Sequence, residues 1–189
     1  EAKKMNEANK IVPVKGIRYV LPLEGRNIDI VYYRSKKEKA PLIIGFHGGG
    51  FLFGGSALDD TMWDTMRNQL DVNIASIGYR KSPDYMYPSA IEDAYDSAIY
   101  LKEHAEEFGF NSEHISTFGS SAGANIATCV SILAKEKGGI TFENQILNYP
   151  FLDTNTDSLI KGNGSLEGPI MYAFNELYCK PEETKFPTV

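Results

Sequence analysis

The 189-residue chain is 42% hydrophobic and 23% charged, the balance of an ordinary globular protein of a size for one α/β unit spanning 1–189. Its formal charge is −6, from 19 lysines and arginines against 25 aspartates and glutamates, and its densest basic run is Lys36-Lys37-Glu38-Lys39, which argues against nucleic acid as a partner. No apolar stretch approaches the roughly 18 residues of a membrane span, and the polar start Glu1 to Lys10 has no apolar signal core, so a cytoplasmic location is expected.

After a short polar N-terminal helix, Gly16 to Leu23 and Asn27 to Arg34 flank Glu24-Gly25-Arg26 and read as an antiparallel hairpin. Strict alternation follows from Pro41. Leu42 to Phe46 reads as a buried strand, Leu58 to Leu70 as a helix, Asn73 to Gly78 as a strand and Pro88 to His104 as a long helix. His114 to Phe118, Ala122 to Lys137 and Asn144 to Asn148 continue as strand, helix and strand. Such repetition with short connections predicts an α/β fold: a doubly wound, mostly parallel sheet with helices on both faces and an antiparallel hairpin at its start. From Thr154 the composition shifts to Asn, Thr, Ser and Gly, then a short helical run from Pro169 to Tyr178, so residues 154–180 are expected to form a lid-like excursion. Cys129 and Cys179 lie far apart, outside any Cys-x-x-Cys or His/Cys cluster, and are expected to be reduced thiols; no metal or organic cofactor is expected.

Two glycine-rich segments carry the chemistry. Gly119-Ser120-Ser121-Ala122-Gly123 stands where a strand turns straight into a helix, a corner that strains the serine backbone and pushes its hydroxyl above the sheet, so Ser121 is the candidate nucleophile. His47-Gly48-Gly49-Gly50-Phe51 follows the strand Leu42 to Phe46. Consecutive glycines let backbone N–H groups converge on one spot, where they stabilise the oxyanion of an acyl-transfer transition state. Gly48, Gly49 and Gly50, with the N–H of Ala122, are the candidate oxyanion hole, and His47 at the head of the run is expected to shape the loop by a hydrogen bond. A phosphate loop is the competing reading, but Gly49 to Gly54 is followed by Gly55 instead of Lys-Ser/Thr, and no Gly-x-Gly-x-x-Gly occurs.

With these motifs in this order, the chain resembles the hormone-sensitive-lipase-like group of α/β-hydrolase carboxylesterases and lipases. Tyr79-Arg80-Lys81-Ser82-Pro83, Tyr87-Pro88-Ser89-Ala90 and Asp93 resemble the segment after the group's fourth strand, and Tyr149-Pro150-Phe151-Leu152-Asp153 the end of its sixth. The resemblance covers roughly Pro41 to Asp153. Ser120 departs from it, standing where the group usually has aspartate, and so does Ala124, where glycine is frequent. Asp93 is expected to pair with Arg80 and hold the loop.

The resemblance implies a serine carboxylesterase acting on small, short-chain acyl esters, with acid and histidine drawn from loops after later strands. All three histidines, His47, His104 and His114, precede Ser121. His104 and His114 are expected to be surface residues, and Asp153 and Asp157 serve as an acid only if a histidine is there to orient. The expectation is therefore a chain corresponding to the N-terminal two thirds of such an enzyme, without the last strands or the triad histidine and inactive as it stands. Two other readings stay open: a non-catalytic binding protein that keeps the oxyanion pocket, and a non-functional truncated product. With the last strand of the sheet unprotected, a homodimer through that edge is also expected.

Overall fold

The computed structural model describes residues 12–154 and 168–186. The expected N-terminal helix, residues 155–167 of the lid-like segment, and Asp157 with them lie outside this range.

Six strands, β1 (Ile17–Leu23), β2 (Arg26–Tyr33), β3 (Leu42–Phe46), β4 (Asn73–Gly78), β5 (Ile115–Ser120) and β6 (Gln145–Asn148), form one sheet in the order β1-β2-β4-β3-β5-β6. β1 and β2 are the expected hairpin, turned at Gly25 with φ 70°. β2 runs antiparallel to β4, and β4, β3, β5 and β6 are mutually parallel. The helices between them are α1 (Asp60–Leu70), α2 (Ser89–Glu103), α3 (Ala105–Phe108) and α4 (Ala122–Lys137), and the described chain closes with α5 (Gly168–Tyr178) and a 3₁₀ turn, Pro181–Glu183. The expected long helix ends at Glu103 because the backbone breaks at His104 and restarts as α3, which stops at Gly109 in the left-handed conformation.

Alternation along the strands sorts side chains to two faces. Ile30, Tyr32, Leu42, Ile44, Phe46 and Ile77 enter the larger core with Ala94, Ala98 and Leu101 of α2 and Ile126, Ala127 and Val130 of α4. Val31, Tyr33, Ile43, Ile74 and Phe118 enter the smaller core around Trp63 of α1. Trp63 is fully buried, meets Phe118 edge to face at 5.2 Å and donates its indole N–H to the Leu58 carbonyl at 3.1 Å. A Cβ on Gly45 would lie 2.7 Å from the Trp63 ring, so this glycine lets α1 rest on β3. Emptying the Trp63 site would cost about 3–5 kcal/mol.

The registers fix where the loops gather. Phe46 of β3 pairs with Ile77 of β4 and with Gly119 of β5, so the segments that follow the three strands, beginning at Tyr79, His47 and Ser121, leave the carboxyl edge of the sheet at the same level. That edge is where ligands bind in open parallel sheets. β6 is less covered than its neighbour: Ile146 is 41% exposed, whereas β5 is buried along most of its length.

Candidate active site

Ser121 has φ 53° and ψ −118°, a conformation that an L-residue keeps only when its surroundings enforce it. They do so through backbone. The Ser121 N–H donates to the Asn148 carbonyl at 3.0 Å, and its own carbonyl accepts from Ala124 at 2.9 Å and Asn125 at 3.3 Å as α4 starts. A Cβ on Gly119 would collide with the Gly123 carbonyl, and one on Gly123 with the carbonyls of Phe46 and His47. Strand, turn and helix are thus pressed together at the two positions without side chains. β5 reaches Ser120, two residues beyond the expected end, because Ser120 still pairs with Asn148 of β6. The Asn148 side-chain amide donates to Ser120 Oγ at 3.4 Å, a weak bond at the position where the resemblance implies aspartate.

The loop after β3 faces this turn. A Cβ on Gly48 would lie 3.1 Å from the Ser120 carbonyl and 3.5 Å from Ser121 Cβ, so the loop backbone sits directly against the serine. Gly49 and Gly50 have φ 122° and 59°, and the Gly49 carbonyl accepts from Leu52 at 3.1 Å and Phe53 at 2.9 Å. The N–H groups of Gly49, Gly50 and Ala122 have no backbone partner among the described residues. Free donors around a half-buried hydroxyl are what a developing oxyanion requires.

His47 lies beneath the loop, fully buried, its ring stacked on Tyr79 with centroids 4.2 Å apart. Nδ1 is 2.7 Å from the Gly48 carbonyl. A carbonyl only accepts, so Nδ1 carries the proton, and Nε2 is buried without a partner among the described residues. Burial, aided by the nearby Lys81 charge, pushes its pKa down to about 3 and keeps the imidazole neutral. His104 stacks on Tyr100 and bonds its carbonyl at 2.8 Å, while His114, at the opposite end of β5, pairs with Glu143 at 2.6 Å. Each of the three histidines is thereby held in a contact other than with Ser121.

A cleft of about 320 Å³ opens over the serine. Gly48 to Phe51 and Phe53 form one wall, Leu58 and Asp59 the rim beside it, Ser121 and Ala122 the floor, and Tyr149, Phe151, Met171 and Phe174 the rest. Phe51, Asp59, Ser121 and Tyr149 all have positive φ, so four of the six non-glycine residues with that geometry among the described residues line one cleft. Strain concentrated in this way makes the cleft the candidate site. Met171 and Phe174 of α5 line the cleft. Asp153 is exposed.

Sequence reasoning missed what lies under the loops. Asp93, fully buried, does pair with Arg80, whose Nε is 3.0 and 2.9 Å from its two oxygens, but it also takes Arg26 Nε at 2.5 Å from the hairpin. Phe174 covers Gly50, and Tyr178 stacks on Phe51 at 3.6 Å. Separations this long leave no local pattern; only the apolar spacing in Pro169 to Tyr178 hinted that the helix packs inward.

Comparison with known proteins agrees with the fold. A family model described as alpha/beta hydrolase fold matches residues 43–189. An arylesterase of Saccharolobus solfataricus is 28% identical over 75% of this chain and 44% of its own length. The carboxylic ester hydrolase LipN of Mycobacterium tuberculosis is 37% identical over 77% of this chain and 41% of its own. The chain spans less than half the length of these curated relatives. Among solved structures, a hyperthermophilic esterase from the archaeon Pyrobaculum calidifontis superposes with a TM-score of 0.87 at 26% identity, covering 100% of this chain and 66% of that one. With the family model covering most of its length, the chain belongs to the hormone-sensitive-lipase-like group of the α/β-hydrolase family.

Proposed function

We propose that the protein is a serine carboxylesterase that cleaves small, short-chain acyl esters through an acyl-enzyme. Ser121 Oγ adds to the ester carbonyl carbon as its proton passes to a general base, and the oxyanion is met by the N–H groups of the Gly48 to Gly50 loop and of Ala122. Collapse expels the alcohol, which takes the proton, and water then releases the acid by the same two steps in reverse. The strained Ser121 backbone, set beside N–H groups of Gly49, Gly50 and Ala122 that have no backbone partner among the described residues, carries this reading. The cleft of about 320 Å³, walled by aromatic rings, supports a compact acyl group.

With His47 buried and His104 and His114 engaged elsewhere, the reading assigns the general base to a histidine beyond Val189. Hydrolysis of p-nitrophenyl acetate by the full-length protein tests it. Ser121→Ala should reduce kcat by roughly 10⁴-fold or more while the protein stays folded. Turnover in that variant within tenfold of wild type would refute the serine mechanism.

A further inference from the structure

We infer that Tyr79 is a positioning residue for the oxyanion loop, acting through His47. This rests on the esterase reading and goes beyond it, because Tyr79 touches neither the cleft nor Ser121. Its hydroxyl donates to the His47 carbonyl at 2.7 Å, its ring stacks within 11° of parallel on the imidazole, and its hydroxyl lies 3.3 Å from Nδ1. The imidazole in turn donates from Nδ1 to the Gly48 carbonyl at 2.7 Å. Two consecutive peptides, His47–Gly48 and Gly48–Gly49, therefore have their carbonyls tied to one buried aromatic pair.

A trans peptide sets its N–H opposite its carbonyl. Holding both carbonyls on the buried side turns the N–H groups of Gly48 and Gly49 away from that pair, toward the cleft that the two glycines line. Without this restraint a glycine run is free to rotate its peptides, since glycine takes positive and negative φ almost equally. The His47 carbonyl has a second neighbour: a Cβ on Gly123 would lie 2.5 Å from it. Tyr79 thus grips the loop at the point where it rests on the serine turn, and both aim and spacing of the donors depend on it. Tyr79 is fully buried, its phenol pushed above its ordinary pKa by that burial, so it remains a neutral donor at any working pH.

The test is Tyr79→Phe in the full-length protein, which keeps the stacked ring and removes the hydroxyl. Losing an oxyanion donor costs about 10²–10³ in kcat, and misaiming one should cost about tenfold or more. For p-nitrophenyl acetate, kcat should fall by that factor with KM within about twofold. Affinity for a trifluoromethyl ketone, which forms an oxyanion on the serine, should fall in parallel. Unchanged kcat and ketone affinity, or a loss confined to KM, would overturn the inference. Should Tyr79→Phe not fold, His47→Phe probes the same linkage: it keeps a ring to stack on Tyr79 but removes the bond to the Gly48 carbonyl, and wild-type kcat there would overturn the inference equally. Ser121→Ala separates the two levels. If it retains turnover, the esterase reading itself fails; if it is inactive while Tyr79→Phe is unimpaired, only the role of Tyr79 fails.

Discussion

Gly119 and Gly123 at the serine turn are pressed against backbone, whereas Gly50 in the facing loop is pressed against a side chain, the ring of Phe174. The serine turn has little freedom to yield, because the carbonyls in its way belong to the helix that follows it, at Gly123, and to the neighbouring strand and its loop, at Phe46 and His47. The loop is held in both ways: Gly49 packs against the Phe53 carbonyl, while Gly50 meets a phenyl ring and the His47 and Gly48 carbonyls are tied by a tyrosine hydroxyl and an imidazole. A rigid serine turn opposite a loop that meets a side chain at Gly50 lets the loop shift there without disturbing the serine.

The largest effect is expected where backbone meets backbone. Gly123→Ala should cost about 3 kcal/mol or more in urea unfolding, at the upper end of overpacking penalties. A loss under about 1 kcal/mol would show that the turn is softer than its packing implies. Acid should act next, and on the loop. The His47 pKa is depressed to about 3 in the fold against about 6.5 when unfolded, so the unfolded chain binds the extra proton first. The stability this histidine contributes is complete above about pH 6.5 and declines as pH falls toward 3, by about 2 kcal/mol at pH 5. Unfolding of wild type and His47→Asn at pH 7 and pH 5 should show a steeper loss in the wild type; equal slopes would remove His47 as the cause.

Gly50→Ala should cost about 1–2 kcal/mol, since φ 59° strains any side chain, plus the overlap with Phe174. Adding Phe174→Ala should recover part of that overlap, so the double variant loses less than the sum of the singles, a coupling read from a thermal double-mutant cycle. Strict additivity would mean that the loop is as unyielding as the serine turn. Smallest of all, Ser120→Ala should change stability by less than about 1 kcal/mol, because its one side-chain partner among the described residues, Asn148, is 3.4 Å away.

Much of this was legible in the sequence, for a physical reason. β3, β4 and α4 begin and end where the apolar runs do, because short buried strands and glycine-bounded helices write their limits locally. Ser121, Ala122 and Gly48 to Gly50 could be picked out because a strained turn and a close backbone approach both demand glycine at fixed offsets. Arg26 on Asp93, Tyr79 beneath His47 and Phe174 over Gly50 could not, since each joins residues from separate elements and none breaks a local rule. The Arg80–Asp93 pair was accessible at thirteen residues' separation; its Arg26 partner, 67 away, was not.

The most direct test of Ser121 as the nucleophile is to treat the folded full-length protein with a fluorophosphonate and locate the adduct by peptide mass spectrometry. A single adduct on Ser121, absent from Ser121→Ala, is the predicted result. A folded protein that remains unmodified, or carries its adduct on another residue, would contradict it.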